Sequence, residues 1–174
     1  MRLPVSWRSI AIAILIAGPA AAAERTKLAG YEDFAFGLSE SEIRNQVAIA
    51  EEYADPEGTW FTIADRAELD GSEYEIRLRT EQQVLVEVDL VRISAMDMEV
   101  CKASFTQMVT AVRSRYGEPD GPPRSPTLPI SMGYMGFANF TFQDGGRVDV
   151  TVITRPGNTG ECMQMIAYKP SGRP

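Results

Sequence analysis

The side chains able to do chemistry in this chain are mostly carboxylates: 24 Asp and Glu stand against 17 Lys and Arg, two Cys and no His. Without His there is no Ser-His-Asp triad, no Cys-His pair, no His-ligated zinc and no imidazole proton shuttle. Lys27, Lys102 and Lys169 each lack a Ser three positions earlier, so the S-x-x-K nucleophile pattern is absent. Gly133 and Gly136 lack the strand-turn-helix context of a phosphate or dinucleotide loop. No calcium loop of the D-x-[DN]-x-[DN]-G kind occurs. A formal charge of −7 gives no basic face for nucleic acid. Acid–base work by an Asp/Glu pair and plain binding remain. The residues point to no catalytic set, no metal ligands and no cofactor, and the chain reads as a non-enzyme.

The cysteines depend on where the chain works. Arg2 and Arg8, the apolar run Ile10 to Ala17, the break at Gly18-Pro19 and the small residues Ala21-Ala22-Ala23 form the pattern of a secretory leader over 1–23. The apolar run is too short to span a bilayer, which takes about 20 residues. No later segment is longer, so no transmembrane segment is expected after cleavage. Loss of Arg2 and Arg8 with the leader takes the formal charge from −7 to −9. A periplasmic or secreted destination favours pairing Cys101 with Cys162. Closing so long a loop is worth roughly 4 kcal/mol in the chain-entropy view.

The elements that would position these residues follow from periodicity. Ser39 and Glu42 match a capping box, and Ile43, Val47, Ala50 and Ala54 predict a helix over about 40–53. Asp55-Pro56-Glu57-Gly58 reads as its stop. Trp60 to Ala64, Tyr74 to Arg79 and Val84 to Ile93 read as strands, with Thr80 to Gln83 a hairpin connection. A second helix is predicted over about 97–116, with Asp97 as cap and Cys101, Phe105, Met108, Val109, Val112 and Tyr116 as its apolar stripe. Gly136 to Gln143, Arg147 to Thr154 and Cys162 to Tyr168 read as further strands, the first two joined by a turn at Asp144-Gly145-Gly146. Tyr53 to Gly58 aligns with Tyr116 to Gly121 at an offset of 63 positions, which suggests a tandem αβββ-αβββ plan. The expected fold is α+β, with two helices on one face of an antiparallel sheet. Residues 24–174 form a single domain with possible halves 31–94 and 95–169.

Two surfaces could bind a partner. Glu40, Glu42, Glu51, Glu52, Asp55 and Glu57 cluster along the first predicted helix, as a solvated face or as an acidic surface for a basic partner or a cation. The stretch from Pro122 and Pro123 to Ile130, Met132, Tyr134, Met135 and Phe137 joins a stiff Pro-rich loop to Met and aromatic side chains. Proline lowers the entropy lost on docking, and Met and aromatics are enriched in interfaces. Alternatively Met135 and Phe137 enter the core as a strand begins.

Phe36-Gly37-Leu38-Ser39 with Glu42-Ile43, then a helix stop and Trp60-Phe61, resembles the small exported α+β domains of the β-lactamase-inhibitor and outer-membrane-assembly-lipoprotein type. Tyr116-Gly117-Glu118-Pro119 is similar in the second half. The lipoprotein cysteine of the assembly subunits is missing. The resemblance implies a fold and a tendency to bind proteins. The leading expectation is therefore a protein-interaction module of the bacterial envelope, an inhibitor or accessory factor, with another envelope or secreted protein as partner, a basic one among the candidates. A carboxylate-dependent hydrolase of envelope polymers and a small-ligand or lipid carrier are the alternatives.

Overall fold

The computed structural model describes residues 25–126, 133–154 and 160–172. The predicted leader lies outside the described residues. A small hairpin, β1 (Gly30–Tyr31) and β2 (Phe34–Ala35), leads into helix α1 (Glu40–Gln46). Four strands follow: β3 (Ile49–Asp55), β4 (Gly58–Leu69), β5 (Ser72–Glu81) and β6 (Val84–Ala95). Helix α2 (Met98–Tyr116) comes next, then β7 (Met135–Thr141), β8 (Arg147–Thr154) and β9 (Glu161–Lys169). Strands β3 to β9 make one antiparallel sheet in the order β3-β4-β5-β6-β9-β8-β7. The two halves thus share a single sheet, joined where β6 pairs with β9.

The first helix is shorter than its periodicity predicts. Its capping box forms as expected: the Ser39 amide donates to Glu42 Oε2 at 2.8 Å, and the Glu42 amide donates to Ser39 Oγ at 3.3 Å. The helix ends at Gln46, and Val47 is its extended C-cap. Residues 49–55 then pair with β4, from Ile49↔Ile63 to Asp55↔Gly58. Asp55-Pro56-Glu57-Gly58 is a hairpin turn rather than a helix stop. Asp55 Oδ1 accepts the amides of Glu57 at 2.8 Å and Gly58 at 3.0 Å, and Pro56 suits the turn's fixed φ. Of the predicted stripe only Ile43 is buried, while Ala50 and Ala54 are exposed on the edge strand. The six acidic residues read as one helix face are therefore divided between α1, β3 and this turn.

The offset match also joins unlike structures, since Tyr53 lies on a strand and Tyr116 ends α2. Among the described residues the first helix is followed by four strands and the second by three.

The second helix keeps its predicted form. Asp97 Oδ1 accepts the Val100 amide at 2.8 Å as N-cap, and Gly117 closes the helix with φ +81°. Cys101, Phe105, Met108, Val109 and Val112 are buried along one side. Each such side chain removed from water is worth roughly 1.5–3 kcal/mol. They meet Val148, Val150 and Val152 of β8, Ala138 and Phe140 of β7, and Cys162, Ile166 and Tyr168 of β9 in one core. Cys101 and Cys162 form a disulfide, with Cα atoms 5.9 Å apart, that fastens the first turn of α2 to the last strand. A disulfide of this kind suits an oxidising compartment. No helix among the described residues is long and apolar enough to cross a membrane.

Both helices lie on the same face of the sheet. Ile43 of α1 enters the core with Phe61, Leu78 and Leu85. Thr80 Oγ1, fully buried at the end of β5, donates to Glu40 Oε1 at 2.7 Å and ties α1 to that face. This hydrogen bond, with the Arg44 ion pair, holds the Glu40 carboxyl below its ordinary pKa.

Candidate functional site

Strand alternation sends the remaining side chains to the face that neither helix covers. The ladder registers place them in rows across the sheet. One row runs Tyr53, Trp60, Arg79, Glu87 through β3, β4, β5 and β6. The next runs Thr62, Arg77, Asp89, Ala167, Asp149 and Asn139, from β4 across to β7. Then come Glu75, Val91, Met165, Thr151 and Phe137. The last apolar row is Ile93, Met163, Ile153 and Met135.

The face therefore changes character along the strands. At one end it is aromatic and basic. Tyr53 is 65% exposed, Trp60 half-buried beside it, and the Arg79 guanidinium sits 5.7 Å from the Trp60 ring centroid. At the other end it is apolar, with Ile93 48% exposed and Met163, Ile153, Met135 and Phe137 all partly exposed. A groove of about 570 Å³ runs among Arg66, Glu75, Arg77, Val91 and Ile93. A second of about 390 Å³ lies among Arg79, Glu81, Val86, Arg147 and Lys169.

Charges fill the middle. Glu87 Oε2 accepts Arg79 Nε at 2.7 Å, and Glu87 Oε1 accepts Lys169 Nζ at 2.8 Å. A second Arg79 nitrogen is held by Glu81. Arg77 Nε donates to Glu75 Oε1 at 2.6 Å, and Arg147 Nε to Asp149 Oδ2 at 3.0 Å. Asp89 is left over. It is 6% exposed, and its Oδ1 accepts no hydrogen bond. Burial, with the charge of Glu87 adding to it, pushes its carboxyl up to about 7, although Lys169, Arg79 and Arg77 pull the other way.

The Pro-rich loop sits at the edge of this face. Pro122 and Pro123 are exposed in it, and Ile130 and Met132 lie outside the described residues. Arg124 and Phe137 exchange backbone hydrogen bonds of 2.9 Å in both directions. The Asp120 amide donates to Asn139 O at 2.9 Å, and Asp120 accepts from the Thr141 amide at 3.0 Å and from Thr141 Oγ1 at 2.6 Å. The described part of the loop thus caps the outer edge of β7, where proline and a side-chain carboxylate replace a continuous strand ladder. Tyr134 packs against the core, with Lys102 Nζ 5.8 Å from its ring centroid. Met135 opens β7 on the uncovered face, opposite Ile153.

Of the residues picked from sequence, the structure joins Met135 to a surface that the sequence reading missed. Tyr53, Trp60, Arg79, Ile93, Met163 and Met165 come from five strands and gather only through the ladder. Alternation within each strand was the signal available, and strand order was needed to use it. Glu87 and Asp89, the buried carboxylates, lie two residues apart on one strand and one face rather than opposed across a cleft. Between α2 and the sheet, near Met108 and Gln164, there is a pocket of about 20 Å³, room for about one water. A more open cleft of about 530 Å³ lies beside α1, with Phe34, Val47, Ile63 and Ile76 among its lining residues. No group of acidic or sulfur side chains among the described residues could hold a metal ion. Compared with family profiles, curated proteins and solved structures, the chain matches none.

Proposed function

We propose that this chain is an exported protein-interaction module that docks its partner on the uncovered face of the sheet. The observation that carries the reading is the composition of that face. Tyr53, Trp60 and Arg79 stand in register at one end, and these three residue types dominate binding hot spots. Met135, Phe137, Ile153, Met163 and Ile93 form a contiguous apolar patch at the other, of the adaptable Met-rich kind used for recognition. Export to the periplasm or beyond is part of the proposal, supported by the leader pattern at 1–23 and by the disulfide. An inhibitory or accessory role toward an envelope protein fits the same features.

The tandem plan and the likeness to small exported binding domains belong to this proposal too. Their support is that β4 to β6 and β7 to β9 are two meanders whose last strands pair antiparallel at the centre of the sheet. Of the Pro122 to Phe137 stretch, the described residues beside Arg124 enter as a rim, since Arg124 pairs with Phe137 at the edge of the face.

Capture of a periplasmic partner by the disulfide-bonded chain tests the reading. Ile93→Glu with Met163→Glu should abolish capture while leaving the fold intact. Val100→Glu, at an exposed position on α2, should leave capture unchanged. Equal capture by the double variant would remove the open face from consideration.

A further inference from the structure

Every cation facing Asp89 is already held by another acid. Arg77 of β5 is held by Glu75, Arg79 of β5 by Glu87 and Glu81, and Lys169 of β9 by Glu87. On β8, beyond Ala167, Asp149 takes Arg147. Asp89 Oδ1 is the one buried carboxylate oxygen in this group without a hydrogen bond, and Asp89 sits at the middle of the uncovered face, in register between Arg77 and Ala167. A buried acid without a donor is costly, because nothing replaces the water it has lost. Native folds rarely keep such a group unless something else completes it.

We propose that Asp89 is the receiving group for a basic side chain, Lys or Arg, that a partner protein lays onto the open face. This rests on the reading of that face as a protein-docking surface. The charge balance selects the partner's chemistry. The chain carries −7 overall, and the group without a donor at the centre of the face is an acid, which a cation would ionise. Asp89 is 6% exposed, so a cation brought from outside reaches its carboxyl as the covering side chains part, and there supplies the missing donor. The apolar row through Val91 and Met165 lies directly beside Asp89 and would take the aliphatic stem of the same side chain. Guanidinium or ammonium favours the ionised carboxylate. Docking at neutral or lower pH therefore releases up to one proton from Asp89 to solvent, and binding tightens as pH rises toward the value at which the free carboxyl is already ionised.

The test uses the full exported chain with its disulfide and a short end-blocked peptide alternating leucine and arginine. The leucine–glutamine counterpart is the control. The carboxyl carbon resonance of Asp89 is followed through pH with and without peptide, and peptide affinity is measured for the wild type, D89N and Ile93→Glu. The expected result is a fall of at least about one unit in the Asp89 midpoint with the arginine peptide. Affinity should weaken about tenfold in D89N, and its dependence on pH should disappear there. An unmoved Asp89 midpoint overturns the cation site, and the wild-type titration decides this even if D89N folds poorly. Equal affinity for D89N overturns it as well, and so does absence of arginine-peptide binding. If Asp89 is indifferent but Ile93→Glu abolishes binding, the cation site falls and the docking face stands. If neither substitution matters, both fall.

Discussion

Glu87 and Asp89 point to the same side of β6, and only Glu87 has partners: Arg79 at 2.7 Å and Lys169 at 2.8 Å. Two carboxylates with the same neighbours are thereby given different states. One is a structural ion pair, and the other is a buried acid that retains its proton near neutral pH. The contrast has a consequence for stability.

An Asp in the unfolded chain titrates near 4. In the fold Asp89 titrates at about 7. Between these values the native state binds a proton that the unfolded state has lost, so stability falls as pH rises through the window. Below it the contribution is constant, and above it the full cost of the buried charge is present. Urea unfolding of D89N and wild type from pH 4 to 8 should diverge in this direction. The expected difference grows by up to about 1.4 kcal/mol per pH unit in favour of D89N. Parallel profiles would show that Asp89 is ionised throughout.

Reduction of the disulfide should be felt across the whole sheet. Cys101 and Cys162 join α2 to β9, the strand that also links the two halves. Loss of that cross-link is expected to cost roughly 4 kcal/mol. The urea midpoint measured with and without reductant checks this.

Two turns carry local predictions of opposite sign. A Cβ at Gly58 would run into the backbone carbonyl of Thr80, so Gly58→Ala should destabilise by about 2–3 kcal/mol. Gln82 and Gln83 both hold positive φ, 51° and 65°, in the two-residue turn between β5 and β6. Left-handed backbone is costly for such residues and easy for Asn-Gly. Replacing the pair by Asn-Gly should stabilise by about 1 kcal/mol. Denaturant midpoints for each variant give both signs.

The sequence carried much of this architecture. Asp97, the stripe from Cys101 to Val112 and Gly117 gave α2 almost residue by residue. Val84 to Ile93 and Arg147 to Thr154 showed their alternation openly. The helix over 40–53 failed for a definite reason. Ile43, Val47, Ala50 and Ala54 have helical spacing, but Ile49 to Asp55 pair with β4 through a ladder broken only by a bulge at Ala50, and tertiary pairing outweighs a spacing built partly on alanines. The site was less legible. Val91 and Met165, or Tyr53 and Trp60, become neighbours only once strand order and register are set, and no local pattern encodes the β6–β9 pairing. The Pro-rich loop was visible by composition, but its role in capping β7 depends on Arg124 and Asp120 meeting Phe137, Asn139 and Thr141.

Position-specific photo-crosslinking tests the docking face most directly. A photoreactive residue is placed at Tyr53, at Ile93 or at Thr106, the last an exposed position on α2. Each exported chain is irradiated in the intact envelope. One defined adduct is expected, the same protein from Tyr53 and from Ile93, and none from Thr106. Adducts from Thr106 alone, or none from either open-face position, would contradict it.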